Sequence, residues 1–174
     1  MKTKDRTPQF RLARPDEADA VTALVNEAYR VEDFFIDGNR TNVAEVTLRI
    51  EDDRFLVVDA PDGLLAGAVH VVLDGTRGYF GMLSVAPAHQ RTGLGAQLVG
   101  AAEEFCRERG CTVMELTAVN LRTELPPWYG RLGYAVTGSA PWPEGHMEKL
   151  KMPAHFILMS KPLAPLPAGH ESRG

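Results

Sequence analysis

The chain has 174 residues, 44% of them hydrophobic and 24% charged, which is room for one sizeable core and not two, so a single globular domain is expected. A net charge of −4 and an isoelectric point near 5.7 argue against a non-specific nucleic-acid binder, which needs a basic surface to displace counterions. Two cysteines, Cys106 and Cys111, give neither a zinc-ligand spacing nor a disulfide framework, and read as small buried thiols in a reducing compartment. "MKTKDRTPQF" lacks an apolar signal core and no run of 18 apolar residues is present, so no membrane association and a cytoplasmic location are expected.

In chain order, "QFRLARP" reads as a first strand, after which Pro15 and Asp16 open a helix with Asp16 as its cap. Ala20, Val21, Leu24, Val25 and Ala28 then mark a buried helical stripe. Residues 32–39 read as a loop and residues 43–51 as a second helix. "RFLVVDA", "LLAGAVHVVL" and "YFGMLSVAP", separated by turns at Pro61-Asp62-Gly63 and Asp74-Gly75, predict an antiparallel meander. From Leu94 a long amphipathic helix is expected, with Leu98, Val99, Ala101, Ala102, Phe105 and Cys106 on its apolar face and Glu103, Glu104, Arg107 and Glu108 on its polar face, stopping at Gly110. "CTVMELTAV" is a strand, Pro126 and Pro127 begin a short helix that ends by Gly133, and "YAVTG" and "HFILMSKPL" are closing strands on either side of a Pro-rich loop. Residues 164–174 read as a flexible tail.

The order strand, glycine turn, helix in "VAPAHQRTGLGAQLVG" places amide N–H groups of residues 90–95 at a helix N-terminus, where free donors and the helix dipole favour an anion such as phosphate. Gly93 and Gly95 let backbone approach a ligand without a Cβ between them, and Gln90 and Arg91 add donors at the rim. A P-loop needs Lys followed by Ser or Thr where this chain has Ala96-Gln97. A dinucleotide fingerprint needs a third small residue where Leu98 stands, and opens a βαβ unit rather than following a meander.

The same stretch resembles the Q/R-x-x-G-x-G/A motif of the GNAT superfamily of acyl-CoA-dependent N-acetyltransferases, and the element order from about Phe10 to Leu163 is similar to that family's. The resemblance implies an α/β (α+β) fold with one domain over residues 8–163: a central mixed, mostly antiparallel sheet of six to seven strands flanked by about four helices. It implies acetyl-CoA as cosubstrate, with strand contacts at Leu83 and Val85 and loop contacts at Gln90, Arg91, Thr92, Gly93, Leu94 and Gly95. Many relatives carry Gly where Arg91 stands. The family's strand splay implies free backbone donors over Met82 to Val85 for the thioester carbonyl.

By the same resemblance Tyr129 in "WYGRLGY" is the general acid for the departing thiolate, a phenol being protonated at neutral pH, and Tyr134 is structural. The family's Asn, seven residues before that Tyr, falls here on Arg122, with Asn120 two residues earlier; Arg122 is the favoured cofactor contact. Glu115 and His70 are the candidates for a general base, against the plainer readings of a strand-end carboxylate and a core histidine. Ser84 misses the hydrolase elbow by one place. Glu32, Asp33 and Asp37 either attract a cationic amine or form a solvated loop, and Phe34, Phe35 and Trp142 either line an acceptor pocket or cover the core. The expected activity is acetyl transfer to a primary amine, of a small molecule or a peptide, by direct attack in a ternary complex. A non-catalytic acyl-CoA-binding domain is the alternative, and the resemblance leaves a homodimer open.

Overall fold

A computed structural model describes residues 7–52 and 54–165; of the expected tail, all but Ala164 and Pro165 lies outside the described residues. Strand β1 (Phe10–Leu12) leads through a 3-10 turn at Pro15–Glu17 into α1 (Ala18–Ala28). The cap differs from expectation: Asp16 is exposed, and Glu17 Oε1 instead accepts from Arg14 N–H at 2.8 Å. The intervening 3-10 turn makes Glu17, three residues after Arg14, the one that reaches back to a free amide. Arg11, paired to Glu17 at 2.7 Å, holds that carboxyl down at about 2. Along α1 the buried residues are Ala18, Val21, Thr22, Leu24 and Val25, whereas Ala20 is exposed because it lies outside that arc.

Helix α2 (Val43–Glu51) starts at Asn42, whose side-chain oxygen accepts from Glu45 N–H at 2.9 Å. The meander follows as β2 (Phe55–Asp59), β3 (Leu65–Asp74) and β4 (Arg77–Val85), then α3 (Leu94–Glu108), β5 (Val113–Val119), α4 (Leu125–Arg131), β6 (Ala135–Pro141) and β7 (His155–Pro162). These build one seven-stranded sheet in the order β1-β2-β3-β4-β5-β7-β6. Every pairing is antiparallel except β4 with β5, because α3 carries the chain back to the end of the sheet where β4 began.

The sheet separates two cores. On one face Phe55, Val57 and Ala68 pack with Val21, Val25 and Val46 of α1 and α2. On the other, Leu56, Val58, Val69, Val71 and Phe80 pack with Leu98, Val99 and Ala102 of α3. At Gly67 a Cβ would lie 2.7 Å from Leu98 Cδ1 and 3.0 Å from the Ser84 carbonyl oxygen, so glycine there sets how closely α3 approaches β3.

Glu103, expected on the polar face of α3, is buried. It accepts from the Tyr134 hydroxyl at 2.8 Å and from Lys161 Nζ at 2.9 Å. Helical periodicity cannot anticipate partners 31 and 58 residues away. Tyr134 is thereby the structural tyrosine that was expected, and both cysteines are free and buried. No described helix is long and apolar enough to cross a membrane.

Candidate active site

The sheet opens where the chemistry is expected. β4 and β5 pair only at Arg77↔Val113, Gly78↔Met114 and Tyr79↔Glu115. The Tyr79 hydroxyl and Thr117 Oγ1, 3.0 Å apart, are the last tie before the strands part. Met82 has a left-handed φ of 50° and the β3–β4 register shifts between Ala68 and His70, which identifies a bulge. Phe80 packs in one core and Met82 in the other; an unbroken strand would put both on one face. From Gly81 to Val85, β4 therefore has no neighbouring strand on the β5 side among the described residues. A cleft of about 1060 Å³ fills the gap, with Leu83 and Val85 on one wall, Thr117 to Val119 on the other, and Trp128 and Tyr129 between them.

Gly93 has φ 85°, which only glycine adopts without strain, and Gly93 O accepts the first helical bond of α3, from Gln97 N–H at 3.2 Å. Thr92 Oγ1 donates to His89 O at 2.5 Å within the loop, and Gln90 Nε2 donates to Val85 O at 3.3 Å, bracing the loop against the end of β4. Among the described residues no acceptor takes the amides of residues 91–96. Leu94 anchors the turn in the core. Gly95 lines the cleft, and a Cβ there would meet the Trp128 ring at 3.5 Å, an ordinary contact. Arg91 is itself left-handed, φ 63°.

Tyr129 is buried against Trp128, Phe80 and Tyr134, with ring centroids 4.9, 5.9 and 6.0 Å away. Its phenol faces the cleft with no hydrogen-bond partner among the described residues, and burial pushes its pKa up. Glu115 is not brought to the cleft. It forms an ion pair with Arg77 at the end where β4 and β5 still touch. His70 is a core residue, its ring 2.9 Å from Arg49 Nη1 and held down at about 4 by burial and by that cation. Ser84 is buried and donates to Met82 O at 3.0 Å.

Arg122 does line the cleft, but its guanidinium is committed, to Glu32 at 3.0 Å and Glu124 at 2.5 Å. Asn120 is spent on the sheet: its side-chain oxygen accepts from His155 N–H at 2.8 Å.

The far end of the cleft is made by two loops zipped together. Asp37 N–H donates to Lys149 O and Lys151 N–H to Phe35 O, both at 2.8 Å, around an isolated bridge between Ile36 and Leu150. Trp142 lines the cleft, stacked on Phe156 at 4.9 Å. Phe35 belongs to the core and Phe34 is half-exposed. Glu32 and Asp37 face the cleft, whereas Asp33 faces a smaller adjoining cavity. Tyr29, Tyr79 and Arg40 also line the cleft and escaped the sequence reading. Tyr29 and Glu32, three residues apart, extend the buried face of α1 beyond Ala28, and that continuation was the available signal.

A model of the acetyltransferase (GNAT) family matches residues 18–134. Streptothricin acetyltransferase of Streptomyces lavendulae is 29% identical, over a match covering 78% of this chain and 86% of that protein. Among solved structures, nourseothricin acetyltransferase superposes with a TM-score of 0.68 at 25% identity, covering 91% of this chain and 100% of that one. The Salmonella typhimurium protein yncA, solved with its cofactor acetyl-CoA, superposes with a TM-score of 0.71 at 21% identity, covering 91% and 95% respectively.

Proposed function

The chain belongs to the acetyltransferase (GNAT) family and is an acetyl-CoA-dependent N-acetyltransferase, and from that premise we propose that it acetylates a primary amine of a streptothricin-type small molecule by direct attack in a ternary complex. The acceptor follows the names of the two relatives at 29% and 25% identity. It also suits a cleft whose far end is closed by zipped loops and carries the carboxylates of Glu32, Asp37 and Glu45.

The unpaired amides of residues 91–96, at the positive end of α3, have the donor chemistry that holds a diphosphate, and Gln90, Arg91, Thr92, Gly93, Leu94 and Gly95 shape that cradle. Acetyl-CoA, when bound, supplies an acyl group activated as a thioester. The open edge of β4 from Gly81 to Val85 offers backbone groups to the pantetheine arm and to the developing oxyanion, with Leu83 and Val85 as its apolar wall. Tyr129, a phenol with an ordinary pKa of about 10 that burial raises further, is protonated at neutral pH and hands its proton to the thiolate as the carbon–sulfur bond breaks. Arg122 acts as a charge clamp on Glu32 and Glu124 rather than as a cofactor ligand.

The observation that carries this reading is the parting of β4 from β5 beside those unpaired amides, with the Tyr129 hydroxyl free at its floor. The test is release of free thiol from acetyl-CoA with streptothricin, phosphinothricin, amino acids and short peptides as acceptors. Release that depends on streptothricin is expected; release only with a peptide or an amino acid overturns the acceptor assignment, and none with any amine overturns the proposal as a whole.

A further inference from the structure

We propose that Glu32 is the proton acceptor for the incoming ammonium of the substrate, held in position by Arg122; this rests on the acetyltransferase reading above. Glu32 closes the 3-10 turn that follows α1 and is 9% exposed. It lines both the main cleft and an adjoining cavity of about 340 Å³ that is bounded also by Asn26, Asp33 and Lys151. Tyr29, Ile36, Asp37, Asn39 and Arg40 line both spaces as well, and Glu32 is the buried carboxylate among these residues.

The other carboxylates of the cleft are more exposed and engaged elsewhere: Asp37 with Lys151 at 3.4 Å, Glu45 with Arg49 at 2.6 Å, and Glu124 with Arg122. Glu32 uses only Oε2 for Arg122; no donor among the described residues reaches its Oε1. A buried carboxylate with one free oxygen can take a proton from an ammonium and return it to solvent after turnover.

The step balances as follows. Oε1 of Glu32 takes one proton from the ammonium, and the freed lone pair forms the carbon–nitrogen bond to the acetyl carbon. The carbon–sulfur bond breaks as Tyr129 gives its proton to the thiolate. The nitrogen's second proton returns to the Tyr129 phenolate, and Glu32 releases its own to water. Amide, thiol and one proton leave.

Burial raises the Glu32 pKa above the usual carboxylate range, because Arg122 divides its charge between two carboxylates and cannot offset the full desolvation. Arg40 opposes that rise and Glu124 adds to it. Tyr29, Arg30, Asp33, Asp37 and Lys151 are the other ionisable groups around it. Since the charged form is the active one, kcat falls as pH drops through this pKa.

The experiment is the pH profile of kcat with whichever amine supports thiol release. Glu32→Gln is expected to lower kcat roughly 10²-fold and abolish the acidic limb, while acetyl-CoA still raises the melting temperature. Arg122→Gln is expected to move the limb to higher pH, since a cation has gone from beside the carboxylate. An unchanged kcat and acidic limb in Glu32→Gln overturn the proposal. Should that variant lose its folded state, seen as loss of the acetyl-CoA thermal shift, an unmoved limb in Arg122→Gln overturns it instead. Failure of the acetyltransferase reading looks different: wild-type protein would release no thiol with any amine.

Discussion

The two ends of the cleft are built in opposite ways. The end proposed for the cofactor is one continuous stretch: Leu83 and Val85 on β4, the braced turn at Gln90 and Thr92, then the first turn of α3, joined by hydrogen bonds between residues three to five apart. The end proposed for the acceptor gathers Tyr29, Glu32 and Asp37 from beyond α1, Arg122 from the β5–α4 connection, and Trp142 and Lys149 from the β6–β7 connection. Its defining ion pair joins residues 90 positions apart. A ligand recognised by backbone amides needs only a local conformation, so it can be encoded by a short motif. An acceptor recognised by side chains needs a shape that several segments must assemble.

That contrast can be broken or sharpened by variants at each end. The largest effect is expected where the ends meet. Tyr129→Phe should lower kcat by roughly 10² to 10⁴ yet leave acetyl-CoA-induced thermal stabilisation intact; wild-type turnover would remove the phenol from the mechanism. Next comes the cofactor end alone. Gly93→Val forces a β-branched residue to a φ of 85° and should abolish that stabilisation, which for a ligand at a hundred times its Kd is about 2.7 kcal/mol. If scanning calorimetry shows the shift unchanged, the diphosphate binds elsewhere.

The smallest effect concerns Arg91, whose left-handed backbone costs about 1–2 kcal/mol in a residue with a Cβ. Arg91→Gly relieves that cost and adds about 0.5–1 kcal/mol of unfolded-state entropy. A net gain of up to about 1.5 kcal/mol is therefore expected, with a rise in melting temperature of up to about 6 °C. A lower melting temperature would mean that the Arg91 side chain stabilises the loop by more than its backbone strains it.

The misreadings of the sequence share one origin. Glu103 sat on the polar arc of α3, but Tyr134 and Lys161 pair with it and make burial tolerable. Glu115 pointed along a strand that leads to the cleft, yet Arg77, brought alongside by the parallel pairing of β4 and β5, takes its carboxylate. Arg122 stood at the expected position for a cofactor contact, yet its guanidinium pairs with Glu32 and Glu124, and the alternative, Asn120, is tied to His155 across β5 and β7. Each residue had the right chemistry, and a partner distant in sequence decided how it was used.

The amino-acid sequence by itself determined the order and type of the elements, the meander, the long helix and the glycine turn at its mouth. Periodicity, turn chemistry and positive φ act between neighbours along the chain. Only the tertiary structure decided how far β4 and β5 pair before they part, which carboxylate is buried at the junction of two cavities, and which loops close the acceptor end. Those outcomes depend on desolvation and on contacts between segments that come together only once the sheet has formed.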